Sequence, residues 1–141
     1  MKDKPFEYIE HTADAGMLVS GDSLQSLFTN AAQGLFEMIA VVETIDEKEI
    51  IEVNVAADSV EMLLVTWLDE LVFKHETEEL FFKRVEINSI SETELAAKVY
   101  GESTNYDKHV VYTEIKAVTY HQLYVKQEPD GDWEAQVIFD L

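Results

Sequence analysis

The stretch DSVEMLLVTWLDELVFKHETEE, residues 58–79, decides the fold of this chain. Its large apolar residues recur three and four positions apart, the spacing that places side chains on one face of a helix. This stripe consists of Val60, Leu63, Leu64, Trp67, Leu68, Leu71 and Val72. Asp58 and Glu61 stand at capping-box spacing and predict where the helix begins. The stretch therefore predicts an amphipathic helix with its apolar face in the core.

A second helix is predicted in DSLQSLFTNAAQGLFEMIA, residues 22–40, where apolar residues have the same spacing. Asp22 and Gln25 mark its expected start in the same way. Gly34 lies inside this helix, although glycine costs up to about 1 kcal/mol relative to alanine there. We expect a closely packed neighbour at that position.

The rest of the chain is typical of β-strands. Pro129 and Asp130-Gly131, in the stretch EPDGD, predict a tight hairpin turn before the last strand, and an ion site there is the weaker alternative. The expected strands are residues 6–12, 16–21, 48–57, 80–90, 92–102, 111–127 and 132–141. These elements predict an α+β fold with two helices packed on a largely antiparallel or mixed β-sheet. The length of 141 residues, with no linker-like stretch, predicts a single domain spanning residues 1–141.

The composition narrows the classes of function. Twenty-nine acidic residues face ten basic ones, the net charge is −19, and Arg84 is the only arginine. Such a chain repels a polyanion, so we expect no direct binding of nucleic acid. The excess acid serves solubility, a basic partner surface or a bound cation. The absence of cysteine excludes disulfides and thiolate metal sites. We see neither a secretory leader nor a membrane-spanning apolar run, and we expect a soluble, cytoplasmic protein.

Two segments carry candidate site residues near the start and the end of the chain. HTADAG, residues 11–16, places Asp14 between two expected strands with Gly16 close behind it. Asp14 either accepts amide hydrogen bonds in a turn or serves a site, and His11 is more often structural than a ligand or a base. At the other end, the alternation in QVIFDL continues to the last residue, so Asp140 and the carboxylate of Leu141 are expected to be held in place.

Lys116, in a third segment, is a further candidate. It stands in the middle of the expected strand EIKAVTYHQL, residues 114–123. Such a lysine either points to solvent or faces a cleft, and Glu114 on the same strand face could neutralise it. We find no glycine-rich phosphate loop, no paired-histidine helix and no serine nucleophile elbow, so the sequence offers carboxylates, histidines and lysines.

The motifs HTADAG, LFTNAAQGLFEM, LLVTWLDELVF, EIKAVTYHQL and VIFDL, in this order, resemble the archease family over essentially the whole chain. The resemblance implies a sandwich of interleaved strand–helix–strand–strand modules. It also implies an accessory protein, not an enzyme, that activates an RtcB-type RNA ligase in tRNA splicing. Such proteins promote guanylylation of the ligase and allow it to turn over repeatedly.

The resemblance further implies a divalent cation, usually Ca²⁺, with Mg²⁺ or Mn²⁺ as alternatives. Its ligands would be Asp14, Asp140 and the terminal carboxylate of Leu141, with Lys116 and His11 as residues beside the site or facing a partner. Three converging carboxylates repel one another unless a cation lies among them, which gives this assignment a physical reason.

Two other functions stay open from the sequence. A small metal-dependent phosphoester hydrolase could use the carboxylates with Lys116 or His11 to activate metal-bound water. A single arginine equips the chain poorly to hold an anionic substrate. The other alternative is a binding module whose carboxylates only stabilise the fold.

Overall fold

The computed structural model describes residues 5–10 and 14–141. Within this part of the chain it has seven strands, two α-helices and a short 3₁₀ helix. The strands are β1 (Phe6–Glu10), β2 (Asp14–Gly21), β3 (Glu49–Ala56), β4 (Leu80–Ile90), β5 (Glu94–Ser103), β6 (Ala117–Gln127) and β7 (Trp133–Asp140). The helices are α1 (Leu24–Ile39), α2 (Val60–Thr77) and the 3₁₀ helix Val42–Thr44.

The strands form two sheets, and every strand pairing is antiparallel. One sheet has the order β1-β2-β7-β6 and the other the order β3-β5-β4. The predicted α+β class is therefore confirmed, with the strands divided between two sheets.

The two sheets correspond to two strand–helix–strand–strand modules, one nested in the other. The inner module is β3-α2-β4-β5, and it is inserted between the helix and the last two strands of the outer module, β2-α1-β6-β7. In each module the first strand pairs with the last, and the last pairs with the middle one. Helix α1 packs on β2 and β4, and α2 packs on β3 and β6, so each helix joins the two modules.

The core follows the predicted apolar stripes. All seven stripe residues of α2 are buried, and the indole N–H of Trp67 donates to the carbonyl of Phe28 in α1 at 3.1 Å. A Cβ on Gly34 would collide with the sulfur of Met17 and lie 3.1 Å from the ring of Phe6, which explains the glycine in this helix. Neither helix is long and apolar enough to span a membrane, within the residues that the structure describes.

The helix starts lie one residue later than predicted. The N-caps are Ser23 and Ser59, whose hydroxyls accept from the backbone N–H groups of Ser26 and Met62 at 3.0 and 3.2 Å. The hydroxyl of Ser26 in turn accepts from the backbone N–H of Ser23 at 3.0 Å, which completes a capping box. Asp22 lies just outside the helix and accepts from the Ser26 hydroxyl at 2.8 Å.

Most strand boundaries differ from the prediction by one or two residues, and two of the differences affect candidate site residues. β2 begins at Asp14, so this residue belongs to the strand itself. The expected strand at residues 111–127 begins only at Ala117, because the preceding segment makes its backbone hydrogen bonds to the end of α1. Tertiary contacts override strand propensity there. The predicted hairpin turn is confirmed, with Gly131 at a φ of 97° and its N–H bonded to the carbonyl of Glu128 at 2.9 Å.

Candidate functional site: carboxylates at the end of the β2–β7 ladder

The candidate site lies where β2 begins and β7 ends. Asp14, the first residue of β2, pairs directly with Asp140, the last residue of β7. Directly opposite residues of antiparallel strands project to the same face with Cβ atoms about 4.5–5.5 Å apart. The fold thus brings together two of the three acidic groups that the sequence singled out.

The register of this pair is fixed by the neighbouring core. Val137 and Phe139 of β7 are fully buried, and Phe139 pairs with Ala15. A shift by one residue would turn this apolar set away from the core, which strongly disfavours any other register. The position of Asp140 opposite Asp14 therefore follows from the packing of β7.

The donor atoms suit a hard cation. Asp14 is half-buried, while Asp140 and Leu141 are exposed. Carboxylate oxygens are the usual anionic ligands of Ca²⁺ and Mg²⁺. No group of three or more histidine, aspartate or glutamate side chains that could hold a metal occurs in residues 5–10 and 14–141. The described side chains that face each other at this point are those of Asp14 and Asp140, and the main-chain carboxylate of Leu141 follows Asp140 directly.

Lys116 is joined to this site through its backbone. Its N–H donates to the carbonyl of Asp140 at 2.9 Å, and the next residue, Ala117, begins β6 opposite Asp140. The side chain is exposed, as expected for a solvent-facing lysine. The predicted position in the middle of a strand was wrong, because the strand starts after it. His11 lies outside the described residues.

The structure reveals a second polar cluster that the sequence analysis missed. Glu102, near the end of β5, and His109 are both buried, and their side chains lie 2.9 Å apart. The same oxygen of Glu102 accepts from Lys108 Nζ and from the backbone N–H of Asp46, each at 2.7 Å. His109 Nδ1 accepts from the N–H of Asn105 at 3.0 Å, so Nε2 carries a proton and donates to Glu102.

This cluster keeps Glu102 ionised. Hydrogen bonds from His109 and then Lys108 lower the pKa of the Glu102 carboxyl from 4.5 to about 2, against the opposing effect of burial. A buried carboxylate with three donors is satisfied in its charged form. We assign the cluster a structural role, because its partners come from the chain itself.

The cluster anchors the long connection between β5 and β6, residues 104–116, which we call the strap. The strap is held near its middle by His109 and by the bridge between Val111 and Ala40, and at its end by Lys116. It therefore connects the inner module to the carboxylates of the outer one. No local sequence signal marks His109 as buried, because it stands in the polar stretch TNYDKH and its partner lies on β5.

The fold and site together define a small acidic α+β protein of nested modules with paired carboxylates at the end of one ladder. The model of the Archease protein family (MTH1598/TM1083) matches residues 6–141. The chain is 41% identical over 142 residues to the protein archease of Pyrococcus abyssi, covering 98% of this chain and 99% of that one. The chain belongs to the archease family.

Two solved structures are similar to this chain over nearly its whole length. The solution structure of Methanobacterium thermoautotrophicum protein 1598 is 35% identical and has a TM-score of 0.82, covering 97% of this chain and 99% of that one. The crystal structure of an archease from Thermotoga maritima, described as a possible chaperone, is 25% identical with a TM-score of 0.66 and covers 94% of each chain.

Proposed function

We propose that this protein is an accessory factor that activates an RtcB-type RNA ligase in tRNA splicing. It promotes guanylylation of the ligase and repeated turnover, and it performs no ligation itself. The proposal rests on membership of the archease family and on the resemblance of its motifs. The net charge of −19 supports action through a protein partner, because the chain would repel RNA.

The observation that carries the proposal is the pairing of Asp14 with Asp140 across the β2–β7 ladder. Two carboxylates facing each other at the end of a sheet repel, and a divalent cation removes that repulsion. We propose that Asp14, Asp140 and the terminal carboxylate of Leu141 hold a divalent cation, with Ca²⁺ the preferred ion and Mg²⁺ or Mn²⁺ alternatives. The cation would supply positive charge for phosphate oxygens at the ligase's nucleotide site.

The protein's own residues have separate tasks in this proposal. Asp14 is fixed by β2 and Asp140 by the buried residues of β7, so the two ligands keep their separation. The backbone bond from Lys116 to Asp140 holds the start of β6 against the site, and the exposed Lys116 side chain is free to meet the ligase. We give Lys116 a contact role and no catalytic one.

A multiple-turnover RNA ligation assay tests the proposal. Catalytic amounts of purified RtcB-type ligase are incubated with cleaved RNA and GTP, with and without this protein. We expect the protein to raise the number of turnovers per ligase, and Asp14→Asn to lose most of that stimulation. Glu49→Gln is the matched control, because it removes the same charge from the corresponding first position of the inner module.

Three outcomes would contradict the proposal. The first is a ligase that turns over equally well without the protein. The second is full stimulation by Asp14→Asn, which would mean that the carboxylates only stabilise the fold. The third is hydrolysis of RNA or nucleotide by the protein alone that disappears in Asp14→Asn, which would favour the hydrolase.

The role of Leu141 has its own test. Residues appended after Leu141 convert its carboxylate into a peptide carbonyl and should weaken divalent-ion binding. Calorimetric Ca²⁺ titrations of the extended and unextended proteins measure this effect. Equal affinities would remove Leu141 from the ligand set.

A further inference from the structure

A groove lies between the strap and the end of α2. Its volume is about 560 Å³, and the buried ring of Phe81 contributes to its lining. Tyr106 and Val111 of the strap line it and are 76% and 42% exposed. Large apolar side chains at this exposure, rimmed by polar residues, are typical of protein-binding surfaces.

The backbone that carries these side chains is fixed. Val111 forms a bridge with Ala40, and the N–H of Tyr112 donates to the carbonyl of Ile39 at 2.8 Å. Tyr106 packs edge-on to Phe81 with ring centroids 6.1 Å apart. A rigid surface with an exposed aromatic residue loses little conformational entropy when a partner binds.

The charges of the groove determine which partner fits. Glu76, Glu79 and Glu114 line it, and all three are exposed. The carbonyl end of α2 adds partial negative charge beside Glu79. Apolar walls next to carboxylates match the side chains of lysine and arginine, which have an aliphatic stem and a cationic head.

We propose that this groove binds a basic, extended segment of the partner protein, with lysine or arginine stems against Tyr106 and Val111 and their cations among the three glutamates. The proposal deepens the function proposed above, since the partner meant is the ligase. The groove would supply affinity and orientation, while the carboxylates of Asp14 and Asp140 would serve activation.

A peptide experiment tests the groove without the ligase. The probe is a short synthetic peptide in which lysines alternate with leucine and serine, titrated into ¹⁵N-labelled protein. We expect chemical-shift changes concentrated at Tyr106, Val111 and Glu79, and none with a control peptide in which glutamates replace the lysines. Chemical-shift changes spread evenly over the acidic surface, or no changes, would contradict binding of a basic segment in the groove.

Matched variants then connect the groove to the ligase. The groove variant is Glu76→Gln, Glu79→Gln and Glu114→Gln combined. The control variant combines Glu52→Gln, Glu92→Gln and Glu94→Gln, which removes the same charge from the β3–β5 side, where Glu94 stands at the opposite end of β5 from the strap.

We expect the groove variant to bind ligase about tenfold more weakly than wild type and the control variant to bind normally. At saturating concentration the groove variant should recover full stimulation, which Asp14→Asn should not. If the two triple variants bind the ligase with equal affinity, the groove is not the binding site of the basic segment, and the proposed function is unaffected. If wild type fails to stimulate the ligase, the proposed function fails, and the peptide titration still decides whether the groove binds basic segments.

Discussion

The inner and outer modules share one topology but differ at the end of the ladder between the first and last strands. In the outer module, Asp14 begins the first strand and faces Asp140. In the inner module, Glu49 begins the first strand and faces Gly101, and its carboxylate accepts from the hydroxyl of Ser103 at 2.9 Å. One ladder end has two facing acids, and the other has one acid that faces a glycine. The candidate function therefore belongs to individual residues placed on a repeated scaffold.

The modules also differ in how tightly the strands approach each other. A Cβ on Gly101 in the inner module would collide with the backbone carbonyl of Phe81, and it would lie 2.9 Å from the Cα of Phe82. A Cβ on Gly16 in the outer module would lie 2.9 Å from the Cδ1 of Ile138, the far end of a side chain, and 3.1 Å from the Cβ of Ile9. The close neighbours of Gly101 are backbone atoms of β4, whereas those of Gly16 are side-chain atoms, so an added methyl group is accommodated more easily at Gly16.

The largest expected effect comes from alanine at these two glycines. Gly101→Ala should destabilise the protein by about 3 kcal/mol, because backbone atoms must move, and Gly16→Ala by about 1 kcal/mol, because Ile138 can rotate. Urea unfolding of both variants measures the difference. Equal losses would mean that the two ladders pack alike.

The next effect concerns one acid on the last strand of each module. The pKa of Glu102 on β5 is lowered from 4.5 to about 2, so its charge stabilises the fold fully above pH 4.5 and the contribution is lost as the pH falls towards 2. Glu134 on β7 accepts from the Tyr124 hydroxyl at 2.8 Å, and the edge strand β6 supplies that donor. We expect Glu102→Gln to cost much more stability than Glu134→Gln at neutral pH.

Denaturant midpoints at neutral pH and near pH 3 check this prediction. The gap between wild type and Glu102→Gln should narrow as the pH falls below 4.5, because the Glu102 carboxyl of the unfolded wild-type chain then takes up a proton, whereas that of the folded protein stays ionised until about pH 2. A gap that stays constant with pH would show that the charge of Glu102 contributes nothing.

The smallest expected effect is on stability, when the N-cap serine at the start of each helix is replaced by alanine. Ser23 in the outer module takes part in a reciprocal capping box, whereas the hydroxyl of Ser59 makes one bond, to the N–H of Met62. Ser23→Ala should therefore cost about 1.5 kcal/mol and Ser59→Ala about 0.5 kcal/mol in the free energy of unfolding. The reverse order in urea titrations would contradict this account of the caps.

The sequence predicts the elements well where one local pattern dominates. The stripe of α2 contains Trp67 and six aliphatic residues at helical spacing, and all are buried. Strand β4 has the predicted bounds, Leu80–Ile90, because apolar alternation is bounded there by turn residues. The hairpin before β7 follows from Asp130-Gly131, whose turn chemistry is local.

Prediction from the sequence fails where contacts between distant parts of the chain determine the local structure. Residues 111–116 have strand-like composition, yet their backbone N–H groups donate to the carbonyls of Ile39 and Asp140. The burial of His109 depends on Glu102, on a strand that no local rule pairs with it. The facing positions of Asp14 and Asp140 depend on the nesting of the modules, and their assignment as ligands came from the family resemblance. The ligand assignment stays a prediction.

Calorimetric titration with Ca²⁺ tests the central claim most directly, that facing carboxylates at the end of the outer ladder hold a divalent cation. We predict single-site binding by wild type, its loss in Asp14→Asn, and unchanged affinity in Glu49→Gln, the matched change in the inner module. Wild-type affinity in Asp14→Asn, or loss of binding in Glu49→Gln, would contradict the claim.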